Sequence, residues 1–132
     1  QFIGVIMREI LFRGKTKDGE WVYGDFCKPC NIVFTTIGYD EVLKQDNVEI
    51  CHDESVIPET VGQYIGMTDR KGTKIFEGDV VRFSHPAYKK SQIGIIEWND
   101  NEVGFVIGLK NDYDLIGYTS EFYEVIGKIH SV

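Results

Sequence analysis

Cys27-Lys-Pro-Cys30 is the pair of residues in this sequence whose type and spacing most directly suggest chemistry. Two thiols three residues apart can share one side of a turn, hold a soft metal or exchange disulfides. A tetrahedral zinc would need two more ligands, and the candidates are Cys51 and His52. Neighbours on a strand point to opposite faces, so that second pair is poorly placed to complete a site. A redox pair would open a helix, whereas Cys30 is followed by Asn31-Ile-Val-Phe-Thr-Thr36, a β-branched and aromatic run that reads as strand. Cys27 and Cys30 are therefore expected to be ordinary reduced thiols, with no metal and no cofactor.

The remaining groups are equally unsuited to catalysis. His52, His85 and His130 are scattered without metal-ligand spacing. No serine stands in a Gly-x-Ser-x-Gly string, and no glycine-rich string matches a phosphate cradle. The protein is expected not to be an enzyme. Trp21 and Trp98 fall inside strand patterns, where core packing is their expected role.

Charge gives the one candidate interaction surface. Arg70, Lys71, Lys74, Arg82, Lys89 and Lys90 face only Glu77 and Asp79 between positions 70 and 90, a balance of +4. With Phe76, Phe83 and Tyr88 interleaved, this stretch has the composition of a phosphate-contacting surface with stacking aromatics. Between Asp40 and Glu59, in contrast, seven acids face Lys44 alone, a balance of −6. The chain as a whole carries −7, which disfavours a general nucleic-acid-binding domain. The expected partner is a second copy of the chain, through its segregated charges, the apolar strand Ile32–Ile37 and the apolar tail Phe2–Ile6. A nucleic acid bound through the 70–90 stretch is the alternative.

The elements that position these residues read as strands. The 132 residues suit one domain, and 42% hydrophobic with 27% charged residues is ordinary for a globular chain. Met7–Arg13 and Glu20–Gly24 form an expected hairpin over Lys15-Thr-Lys-Asp-Gly19. Further strands are expected at Asn31–Ile37, Thr60–Met67, Gln92–Trp98, Glu102–Leu109 and Phe122–His130. Within Ile75–Phe83 the Gly78-Asp79 pair opens a strand, and Asp40–Asn47 is the expected short helix. The order Gly-Asp-Val-Val81, Gly94–Trp98, Gly104–Ile107 and Val125–Ile129 resembles the small barrels of the Src-homology type. The expected fold is mainly β: an N-terminal β lobe over 7–66, then a small C-terminal β-barrel over 67–132. No apolar run approaches the ~20 residues of a membrane-spanning helix. Met7 is the expected natural start, with residues 1–6 an upstream addition, and an odd set of three cysteines without a secretory leader suggests a reducing cytoplasm.

Three strings carry a resemblance to a known family. They are Met7-Arg-Glu-Ile-Leu-Phe-Arg-Gly14 with Trp21-Val-Tyr-Gly-Asp25, then Val56-Ile-Pro-Glu-Thr-Val-Gly-Gln-Tyr-Ile-Gly-Met67 running into Thr68-Asp-Arg-Lys-Gly-Thr-Lys-Ile-Phe-Glu-Gly-Asp-Val-Val81, and finally Tyr123-Glu-Val-Ile-Gly-Lys-Ile129. Together they resemble the YopX family from Met7 to about Ile129, with looser similarity from Cys27 to Ser55. Ile65 and Met67 stand where the family pattern has Thr and Leu, conservative departures for the fold. The resemblance implies a single domain over 7–132, a home in phages or integrated prophages inside a bacterial cell, a host or phage protein as a further expected partner, and no catalytic residues to carry over.

Overall fold

The computed structural model describes residues 9–87, 89–109, 112–117 and 119–130. It is mainly β, as expected, with 58% strand and 5% helix. The chain divides into two compact units, one spanning Leu11–Gly62 and the other containing the described residues 9–10 and 63–130. The expected boundary at 66/67 falls within a strand. Residues 1–6 and the expected start at Met7 lie outside the described residues.

The first unit is an antiparallel meander of β1 (Phe12–Lys15), β2 (Trp21–Cys27), β3 (Asn31–Asp40) and β4 (Gln45–Ser55). The β1–β2 turn closes as its Asp-Gly pair suggested, with Gly19 at φ +89° and its N–H donating to the Thr16 carbonyl. Arg13 is buried, with its guanidinium 4.9 Å from the Trp21 ring. Trp21 is therefore half-buried beneath a cation rather than enclosed in a core. After β4 the chain returns across β1. Ile57 N–H donates to the Lys15 carbonyl, and Lys15 N–H donates to the Thr60 hydroxyl. Gly24 leaves no room for a side chain, because a β-carbon there would collide with the Val33 carbonyl of β3. Gly24→Ala is expected to lower stability by about 1–3 kcal/mol, the usual cost of overpacking, measured by urea unfolding.

The segment Asp40–Asn47, expected as a helix, is instead the end of β3, a turn over 41–44 and the start of β4. Asp40 Oδ1 accepts from the N–H groups of Val42 and Leu43, a local alternative to helical bonding. Lys44 (φ +51°) and Asn47 (φ +60°) take left-handed backbone that a helix excludes. Two turns with no apolar face to bury cannot outweigh a ladder running continuously from Asn31↔Ser55 to Gly38↔Val48.

The second unit holds a hairpin of β5 (Gly62–Thr68) and β6 (Lys74–Phe76) and a five-stranded antiparallel sheet. That sheet runs β10-β9-β8-β7-β11, with β7 Asp79–Phe83, β8 Gln92–Asn99, β9 Gly104–Gly108, β10 Tyr113–Leu115 and β11 Tyr123–Lys128. Its last strand returns beside its first. The ladder does not close into the expected barrel, since among the described residues β10 and β11 are edges. With three residues, β10 offers little ladder to close on. Alternation on β7 turns Asp79, Val81 and Phe83 inward, and with Ile75, Ile96, Ile107 and Tyr123 the four apolar neighbours complete one core cluster. Gly78-Asp79 opens β7 as expected. Gly78 sits at φ +92°, and the buried Asp79 accepts from Phe76 N–H at 2.8 Å.

Candidate interaction surfaces

The expected basic surface is built on the β5–β6 turn, on β7 and on the loop after it. Asp69 organises the turn from beneath. Its Oδ1 accepts from Lys71 and Thr73 N–H, both at 2.9 Å, and its Oδ2 from Val125 N–H of β11, also at 2.9 Å. Burial by itself would raise this carboxyl, but the bonds from Val125, Thr73 and Lys71 outweigh it and hold it below the ordinary aspartate value. Arg70 N–H donates to the Tyr123 carbonyl, so turn and strand are joined at two points.

Three of the six predicted bases thereby converge on Glu124 of β11. Lys71 Nζ lies 3.0 Å from one carboxylate oxygen, and Arg82 Nη1 and Arg70 Nη2 lie 3.1 and 3.4 Å from the other. Hydrogen bonding from Lys71 is the main influence that lowers the Glu124 carboxyl, with the Arg70 charge adding to it. Lys74 stands apart from this group, bound to both Glu9 carboxylate oxygens at 3.0 Å and lying 5.4 Å from the Tyr64 ring centre. Lys89 and Lys90 are exposed in the loop after β7. The interleaved aromatics do not join the surface. Phe76 and Phe83 are buried, because β6 and β7 turn them into the core, and Tyr88 lies outside the described residues. Two expected roles are thus exchanged, since Trp98, expected in a core, is 47% exposed and donates its indole N–H to Asp100.

In the other unit the apolar strand Ile32–Ile37 is buried at Ile32 and exposed at Ile37, and the β3–β4 turn beyond it adds apolar residues expected in a helix. Ile37, Tyr39, Val42 and Leu43 are 63%, 49%, 90% and 63% exposed, around a turn whose neighbours are Asp40, Glu41 and Asp46. A correct assignment of the turn would have found them, because two apolar residues at a β-hairpin tip have no interior to enter. On β4 the side chains alternate. Val48, Ile50 and His52 are half-buried, and Glu49, Cys51 and Asp53 are exposed. His52 stacks on Phe34, with ring centres 4.8 Å apart, and contacts the Thr36 hydroxyl at 2.8 Å. Cys51 and His52 thus face opposite sides, while Cys27 ends β2 and Cys30 precedes β3. Among the described residues no three His, Cys, Asp or Glu side chains gather as metal ligands. A cleft of about 400 Å³ lies between the β1–β2 turn and the end of β4, lined by Lys17, Asp18, Glu54, Val56, Ile57 and Pro58 among others. No helix of the described residues is long and apolar enough to cross a membrane.

The fold defines a mainly β protein of two antiparallel units with charged and apolar surfaces on its strands and turns. The chain belongs to the YopX family, since the family model described as YopX protein matches residues 11–132. Among solved structures it is similar to protein EF1440 from Enterococcus faecalis, at 18% identity over 95% of this chain and 96% of that one, with a TM-score of 0.50. At that identity the likeness concerns the fold. No curated protein matches the chain.

Proposed function

We propose that this YopX protein is a non-catalytic binding module of phage or prophage origin, acting in the bacterial cytoplasm by docking on protein: a second copy of itself, or a phage or host protein. The observation that carries this reading is the apolar tip of the β3–β4 hairpin, where Ile37, Tyr39, Val42 and Leu43 are held in water. A contiguous exposed apolar patch rimmed by charge is the usual mark of a protein interface. The alternative, a nucleic-acid module using Arg70, Lys71, Lys74, Arg82, Lys89 and Lys90, has less in its favour. Three of those bases already neutralise Glu124, and Phe76 and Phe83 are not exposed for stacking.

Light scattering at micromolar concentration tests self-assembly. The expected result is an oligomer whose mass persists in ~0.5 M salt, where screening acts within a few ångström, because its contact is apolar. Val42→Lys with Leu43→Lys is expected to weaken association at least tenfold while leaving the circular dichroism of the folded chain unchanged, since both side chains are mostly exposed. A monomer's mass in both salts would overturn self-assembly. Affinity of the intact protein for DNA at low salt that survives the tip substitutions and is lost on replacing Lys71 and Arg82 would favour the alternative.

A further inference from the structure

The outer edge of β4 has chemistry that selects its own kind of partner. Among the described residues β4 pairs with β3 alone, and its regular ladder covers eight residues, Val48–Ser55. At ~3.4 Å per residue that edge is about 27 Å long. A free edge of this length invites another strand, and proteins guard such edges with charge or proline. This one has no proline, lysine or arginine, and beside His52 it carries three acids: Glu49, Asp53 and Glu54. A second copy pairing antiparallel about Cys51 would set Glu49 of each copy opposite Asp53 of the other. Like charges across a ladder are destabilising, so the edge rejects itself.

We propose that β4 receives an extended basic segment of a partner protein as an added strand, with one lysine or arginine seated in the cleft beside Pro58. This deepens the protein-docking reading above and rests on it. The alternation of β4 sets the pattern of the incoming strand. Along the ladder, basic residues lie on the face of Glu49 and Asp53 and apolar residues on the face of Val48 and Ile50, while the lysine or arginine of the cleft lies past Ser55, where the ladder and its alternation end. The cleft continues the same edge, because Glu54 at the end of β4 is one of its walls. Asp18 and Glu54 supply two carboxylates there against the single ammonium of Lys17. Val56, Ile57 and Pro58 supply an apolar wall suited to the methylene stem of a lysine or arginine. Main-chain bonds along the edge then provide affinity and the acids provide selection.

The probe is a ten-residue peptide of alternating lysine and valine, titrated into the intact protein at low salt while amide exchange is followed. The expected result is saturable binding that slows exchange of amides within Val48–Ser55. The same peptide with alternate backbone nitrogens methylated keeps its charge but cannot complete a ladder, and its affinity should fall at least tenfold. A glutamate–valine peptide should not bind. Asp18→Asn with Glu54→Gln should weaken binding about fivefold and leave the melting temperature unchanged. Equal binding of the methylated peptide, protection away from β4, or no binding at all would overturn the added strand. If no peptide binds while the Val42 and Leu43 substitutions still dissociate the protein, this inference fails alone. If the peptide binds but those substitutions change nothing, the hairpin tip is not the docking surface and the edge stands.

Discussion

Replacing Asp69 with alanine is expected to destabilise the 63–130 unit by about 3–5 kcal/mol, because three charge-assisted bonds to backbone N–H groups are lost at once. Two of those bonds close the turn between β5 and β6, and the third ties it to β11 through Val125. The loss is a large share of the 5–15 kcal/mol by which domains are usually stable. Asp69→Asn should cost less. It keeps one oxygen for Lys71 and Thr73 but turns an amide NH2 group toward the Val125 N–H, a donor facing a donor. The two variants also differ from the native protein in acid. Asp69 in the folded chain sits below its ordinary value of 3.8, so the unfolded chain binds the proton more readily. Its stabilisation is present above pH ~4, near the unfolded value, and is lost as pH falls through the lower folded value. Urea unfolding at pH 6 and at pH 3 should therefore show a smaller difference for either variant than for the native protein. An unchanged difference would mean that other carboxylates govern acid stability.

Tyr123→Ala is the second substitution with a large expected effect, about 3–5 kcal/mol, the range for emptying an aromatic site in a core. Tyr123 is 1% exposed, with its ring centre 5.1 Å from that of Phe83, and it stands where β11 returns to pair with β7. The cavity would open between two strands distant in sequence, where backbone relaxation is restrained by the ladder Tyr123↔Phe83. Thermal unfolding followed by near-ultraviolet circular dichroism measures it. A change below about 1 kcal/mol would show that the core can collapse around the gap.

The β character of the chain was legible because it rests on local rules. Gly19 and Gly78 stand where positive φ is needed, and the alternation of residue types along β7 is enough to mark Val81 and Phe83 as interior. The family strings from Val56 to Val81 carry the Asp69 turn and the Gly-Asp opening of β7, both fixed by residues within a few positions of each other. The six bases were equally plain, being surface residues by composition.

The convergence of Arg70, Lys71 and Arg82 was not legible, because it depends on Glu124, which lies more than forty positions from Arg82 and faces it only through the β7–β11 register. The same holds for the aromatics. Phe83 and Trp98 are both strand residues, yet one is interior and the other exposed, a choice made by which side of the sheet meets the core. The segment from Asp40 to Asn47 shows the limit most directly. Its composition suits a short helix, and only pairing of β3 with β4 over eight consecutive residue pairs outweighs that local preference. Local chemistry thus determined most of the strands and the β1–β2 turn, but not β4 or the turn that leads into it. The tertiary structure decided which charges meet and which apolar residues remain in water, because both depend on contacts between residues far apart in the chain.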